Sequence, residues 1–234
     1  MSTAELQTQL LSMHDEQYKC FNAKLIPTVD TKTMIGIRVP ILRKFAKNFF
    51  KTQPDQASAF METLPHTYFE ENNLHAFFIE CMQSFEEAVQ KTELFLPFID
   101  NWETCDLFLP PVFKKHCDEL YQYILRWLQS EHCYTVRYAI GLLLSLYLDA
   151  EFKPDMLALV AGVVSDEYYV NMMIAWYFSI ALVKQYAVAV PYIEAKRLNT
   201  FAHNKAIQKA CENRRIAPEI KAYLKTHLDK KIKR

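Results

Sequence analysis

In the segment IDNWETCDLFLP, residues 99–110, a tryptophan, a cysteine and ionisable carboxyl groups interrupt a run whose flanking apolar residues belong in a core. If NWETCDLF opens a helix, Trp102 and Asp106 stand four residues apart and share a face, with Glu103 three residues before Asp106. An indole face and a carboxylate aimed the same way both attract positive charge. A purely structural reading also fits: Asn101 caps the helix, Glu103 favours the positive end of its dipole, and Trp102 packs in the core. Glu103 and Asp106 as an acid pair that hydrolyses a glycosidic bond is the weakest reading, since residues three apart on one helix rarely flank a bond from opposite sides.

Two residues further along bear on the choice. Arg137, in YTVRYAIGLLL, lies on a helix whose other residues are almost wholly apolar, where an unpaired guanidinium is costly and needs an anionic partner. Trp176, in NMMIAWYFSIALV, falls at a nearby level in the next repeat of the chain. Trp102, Asp106, Arg137 and Trp176 are therefore expected on one concave surface. The bland alternative is a structural ion pair of Arg137 with Asp106 between two core tryptophans.

The elements that must position these residues read as helices. Half of the 234 residues are hydrophobic, and there are only three glycines, so tight β-turns are scarce. In PVFKKHCDELYQYILRWLQS the residues Val112, Phe113, Leu120, Tyr123, Ile124, Trp127 and Leu128 form one apolar stripe, with Lys114, Lys115, Asp118, Glu119 and Gln122 opposite. Period-two alternation bounded by Asn-Gly or Asp-Gly is absent. The ten prolines fall mostly at the edges of periodic segments and punctuate about a dozen short helices. A weak repeat of about 35 residues runs through the later half: SEHCYTVRYAIGLLLSLYL begins at Ser130, SDEYYVNMMIAWYFSIALV at Ser165 and TFAHNKAIQKACENRRI at Thr200. Each opens on a residue suited to capping a helix, and shorter helical stretches lie between. The expected fold is all-α: an α-α superhelix, or solenoid, of HEAT-like helix pairs in the manner of armadillo repeats, forming a single domain over residues 1–234.

Charge and composition narrow the functional classes. Lys and Arg total 27, as do Asp and Glu, so a generic polyanion binder is disfavoured. The balance is uneven, however: residues 196–234 carry 12 basic and 3 acidic side chains. That end is either a solvated basic helix or a surface that meets a polyanion. Six cysteines are scattered without Cys-x-x-Cys or zinc spacing, so reduced core thiols and no metal are expected. The polar, acidic start MSTAELQTQLLSMHDEQ has no signal-peptide pattern, and the most apolar helical runs are too short to cross a bilayer, so a cytoplasmic protein without a membrane partner is expected.

Four motifs, in order, resemble the bacterial DNA alkylation repair glycosylases built of HEAT-like repeats. They are IGIRVPILRKFAK, with Gly36, Ile37, Pro40 and Arg43; NWETCDLF; YTVRYAI; and IAWYFSIALVK, followed by HNKAIQKACENRRI. The resemblance implies that Asp106 is the catalytic aspartate, that Trp102 and Trp176 are its two tryptophans, and that Arg137 contacts DNA. It further implies hydrolysis of the N-glycosidic bond of a cationic N3- or N7-alkylated purine in duplex DNA, on an open concave face, with no cofactor and by a monomer. The chemistry suits these side chains. An alkylated purine already carries positive charge and leaves as a neutral base, so the demand falls on stabilising the oxocarbenium-like sugar. Lys205, Lys209, Arg214 and Arg215 would then grip phosphates in a salt-sensitive way. This chain departs from the family around Trp176, where Met172, Met173 and Ser179 replace basic side chains. A non-catalytic HEAT-like member that binds DNA or a protein on the same face is the alternative.

Overall fold

The computed structural model describes residues 3–229, and among them there are fourteen α-helices and no strand. They divide into two compact units, one ending at His116 and one beginning at Cys117. The first unit holds α1 (Thr3–Leu11), α2 (Glu16–Asn22), α3 (Val39–Thr52), α4 (Pro54–Met61), α5 (Phe69–Ile79), α6 (Phe85–Phe95) and α7 (Trp102–Leu107). The second holds α8 (Cys117–Trp127), α9 (Cys133–Leu146), α10 (Asp155–Ala161), α11 (Tyr168–Lys184), α12 (Tyr186–Glu194), α13 (Thr200–Glu212) and α14 (Pro218–Thr226). The all-helical repeat fold expected from the periodicity is the fold observed.

In the second unit the repeat is explicit. Helices α9, α11 and α13 begin at residues 133, 168 and 200, and α11 packs against both α9 and α13. Their caps differ from expectation. The N-cap residues are His132, Glu167 and Asn199, and Thr200 is already inside α13. Ser130 and Ser165 sit two residues earlier, where each hydroxyl accepts the amide N–H of the N-cap residue at 3.1 Å. A short hydroxyl side chain serves a turn before a helix as readily as the helix itself.

The stretch from Pro111, which the apolar stripe reads as one helix, is broken. A 3-10 turn over Pro111–Lys115 ends at His116, whose φ of −129° and ψ of 41° are not helical, and α8 starts at Cys117. The stripe survives the break because Val112 and Phe113 are buried as well as Leu120, Ile124 and Trp127.

The first unit is built around α5, all eleven residues of which are buried. Of its polar residues, Glu70, Asn73 and His75 have specific partners, while Glu71 Oε1 and Asn72 Oδ1 are buried without one. Glu70 accepts the amide N–H groups of Ile35 (2.7 Å), Gly36 (2.6 Å) and Ile37 (3.2 Å). Gly36 has φ +92°, and a Cβ there would meet the Asp15 carbonyl at 2.6 Å. Asp15 caps α2 and holds Arg38 at 2.9 Å. The Gly-Ile motif is thus a backbone cradle for a buried carboxylate.

All six cysteines are free, but only Cys105 is buried and Cys20 is exposed, so the expectation of core thiols holds for one of them. Cys117, Cys133 and Cys211 lie partly covered on helices and Cys81 in the turn after α5, positions where a small apolar side chain is tolerated. No described helix is long and apolar enough to cross a membrane.

Candidate functional site

Helix α7 carries the two residues that opened the sequence reading. It is only six residues long, so it cannot hold its shape from its own hydrogen bonds. Its start is fixed from outside. Asn101 is fully buried and caps it, its Oδ1 accepting from Thr104 N at 2.8 Å, while its Nδ2 donates to Thr104 Oγ1 and Asp100 Oδ1. Thr104 Oγ1 in turn donates to Asn73 Oδ1 of α5 at 2.7 Å.

Trp102 is half-buried. Like Ala23 and Val29 it packs against the buried cluster of Ile26, Met34 and Phe69, and its Nε1 donates to the Leu25 carbonyl at 3.0 Å. The side chain is therefore packed, and its direction is set by the indole N–H. Asp106, one turn on, is partly exposed.

Glu103 is not merely a helix-start residue. It is buried, accepts from Asn22 Nδ2 at 3.4 Å, and burial raises its carboxyl above the usual range, with the charge of Glu70 adding to the effect. Its charge also helps to push the Tyr18 phenol up, behind the larger effect of burial.

The other end of α7 is fixed by Arg43 of α3 and by Glu80, the C-cap residue of α5. Arg43 donates through Nη2 to the Leu107 carbonyl at 3.0 Å and through Nη1 to Glu80, while Glu80 Oε1 accepts the Leu109 N–H at 3.0 Å. The guanidinium carbon lies 4.1 Å from the centre of the Phe77 ring. Burial raises the Glu80 carboxyl, opposed by the Leu109 N–H and the Arg43 charge.

In the second unit, Arg137 is 5% exposed and donates through Nη1 to the Tyr169 carbonyl at 2.7 Å. Tyr169 is on α11, about two turns before Trp176. The apolar helix calls for an anionic partner, whereas the acceptor at Nη1 is a neutral backbone carbonyl. Trp176 is 39% exposed, an unusual position for a tryptophan on so apolar a helix.

Of its neighbours, Met173 and Ser179 are buried, and Ser179 Oγ donates to the Trp176 carbonyl. The cation beside Trp176 comes instead from the next helix of the repeat: Lys209 on α13 places Nζ 5.8 Å from the indole centre. Lys205, one turn earlier, donates to Gln208 at 2.8 Å. Arg214 and Arg215 are exposed in the turn that follows α13, where Arg215 N bonds to Asn213 Oδ1. The last basic residues of the sequence, Lys230, Lys231, Lys233 and Arg234, lie outside the described residues.

The groups that sequence reasoning missed are Asn22, Glu70, Asn73 and Glu80, together with the role of Arg43. Their partners lie tens of residues away along the chain. The one available signal was composition: FEENNLHAFFIE places acids, amides and a histidine among aromatic residues without an apolar stripe. Among the described residues there is no group of three or more His, Cys, Asp or Glu side chains able to hold a metal.

A family model described as DNA alkylation repair enzyme matches residues 6–213. No curated protein matches the chain.

Proposed function

Because the chain belongs to the DNA alkylation repair enzyme family, we propose that it repairs alkylated DNA by hydrolysing the N-glycosidic bond of cationic N3- or N7-alkylpurines in the duplex. Repair of alkylated DNA follows from the membership itself; the reaction is read from the side chains. The observation that carries it is the build of α7, a six-residue helix braced at both ends that presents a locked indole and a carboxylate one turn apart.

In this reading the Asp106 carboxylate stabilises the oxocarbenium-like sugar and orients water for attack at the anomeric carbon. Trp102 lays its open face on the deoxyribose, and each cation–π contact is worth about 0.5–2 kcal/mol. The base needs no general acid, since its own positive charge makes it a neutral leaving group. Trp176, with its exposed ring and the ammonium of Lys209 beside it, contacts the sugar-phosphate backbone. Lys205, Arg214 and Arg215 add phosphate contacts on the same basic end of the chain. A phosphate contact from Arg137 would draw on the small part of its guanidinium that is open.

The burial of Arg137 favours a second reading, a non-catalytic binder of DNA that uses only Trp176 and the lysines. One experiment separates the two: release of 7-methylguanine and 3-methyladenine from alkylated duplex DNA by the wild type and by Asp106→Asn. Release by the wild type that falls at least about 100-fold in the variant is expected for the enzyme. A folded wild type that binds duplex DNA and releases neither base is the binder.

A further inference from the structure

Arg43 belongs to the motif IGIRVPILRKFAK, yet no step of the reaction above uses it. Its partners explain its placement. The last carbonyls of any helix lack an internal N–H donor, and a six-residue helix has no interior turns to steady its end. In α7 the Leu107 carbonyl is taken by Arg43, and the next free amide, that of Leu109, by Glu80. These two peptide groups flank Phe108, whose side chain is buried. Arg43 and Glu80 are themselves paired, and Arg43 is backed by the Phe77 ring. Two side chains, one on α3 and one at the C-cap of α5, therefore fix two points of the chain directly after Asp106.

We propose that Arg43 and Glu80 are positioning residues for Asp106: their ion pair clamps the carboxyl-terminal turn of α7 and so sets the direction in which the Asp106 carboxylate points. The inference rests on the reading of Asp106 as the catalytic carboxylate. A reacting group displaced by about 1 Å loses on the order of 100-fold in rate, and Asp106 is the last residue but one of its helix. If the clamp opens, the turn that carries Asp106 frays while the far end, held by Asn101 and Trp102, stays in place. Neither Arg43 nor Glu80 touches substrate in this scheme.

The test uses conservative variants of the whole chain. Arg43→Lys keeps the positive charge but cannot reach both Glu80 and the Leu107 carbonyl as a planar fork does. Glu80→Gln keeps an acceptor for the Leu109 N–H and loses the charge. Single-turnover release of 7-methylguanine and affinity for the same duplex are measured well below the melting temperature. Arg43→Lys is expected to slow release by about 30- to 100-fold with affinity within about twofold of wild type, and Glu80→Gln to slow it in the same sense. The double variant is expected to be no slower than the slower single, because the two act as one unit. Lys91→Met, which breaks the Lys91–Glu62 ion pair elsewhere in the same unit, is expected to release base at the wild-type rate.

Wild-type rates from both Arg43→Lys and Glu80→Gln would overturn the proposal, as would equal losses in rate and affinity. A wild type that releases no base overturns the reading of Asp106, and this inference with it; a wild type that releases base while the variants match it overturns this inference alone.

Discussion

Lys209 on α13 holds its ammonium 5.8 Å from the centre of the Trp176 ring on α11. Sequence reasoning put the two residues in separate roles, one in a basic helix and one in a site, and the packing of α11 on α13 joins them. A lysine over an indole is partly oriented before any phosphate arrives, so less of its rotamer freedom is lost on binding. Lys209→Gln is expected to weaken binding to duplex DNA and to lower the slope of log Kd against log salt concentration by about 1. Fluorescence anisotropy at several salt concentrations measures this, and an unchanged slope would assign Lys209 to packing.

Trp102→Phe keeps the apolar body against the cluster of Ile26, Met34 and Phe69 and removes the N–H that the Leu25 carbonyl accepts. The stability cost is expected to be about 1 kcal/mol, the worth of one such bond. Base release is expected to fall by more than that cost accounts for, because the ring can then tilt away from the sugar. Urea denaturation beside single-turnover release compares the two losses; a phenylalanine variant at the wild-type rate would leave Trp102 a packing residue.

The cradle of Glu70 makes the Gly-Ile motif a stability element. Gly36→Ala places a Cβ 2.6 Å from the Asp15 carbonyl at a φ of +92°, and both features strain the chain. A loss of at least about 2 kcal/mol is expected. Glu70→Ala strands three buried amide N–H groups at about 1–3 kcal/mol each. The second variant is expected to be the more damaged in thermal melts, and the reverse order would mean that the loop over residues 35–37 rearranges freely.

Acid stability is expected to depend on a histidine pair. His66 Nε2 and His75 Nδ1 are 2.9 Å apart, sandwiched between Phe60, stacked on His66, and Phe95, stacked on His75. Burial lowers His66 from 6.5 to about 4 and carries His75 well below 6.5 as well, with His66 and Lys91 adding to the latter. Both rings are therefore neutral in the folded chain where the unfolded chain begins to bind protons. Their contribution is present in full above about pH 6.5 and is lost as the pH falls toward 4, at on the order of 3 kcal/mol for His66. His66→Gln is expected to flatten the decline of melting temperature over that window; an unaltered decline would place the acid sensitivity elsewhere.

Much of this molecule is legible in its sequence, and the division has a physical cause. The helices α9, α11 and α13 were found from their spacing because each repeats one buried face at one interval. Asn101 as a cap and Trp102 and Asp106 on a shared face were found because helix geometry alone fixes them. Arg137 pointed to an anionic partner, and the acceptor at its Nη1 is the neutral Tyr169 carbonyl. By contrast, α5 is buried on every side, so its residues show no stripe, and Glu70, Asn73 and Glu80 reveal their roles only through partners that are 29 to 37 residues distant. The cation next to Trp176 was sought on its own helix and is supplied by its neighbour.

Two of the bonds that brace α7 span long loops of chain: Trp102 to Leu25 across 77 residues and Asn22 to Glu103 across 81. Contacts of that range form only after the intervening helices have been ordered. On the ribosome, α2 therefore emerges well before the helix it must embrace, and the turn that carries Asp106 acquires its final shape among the last events of the first unit. Trimming the chain before Ala23 would remove no residue assigned to chemistry, yet it would strip Glu103 of Asn22 and leave only the Leu25 carbonyl to tie α7 on that side.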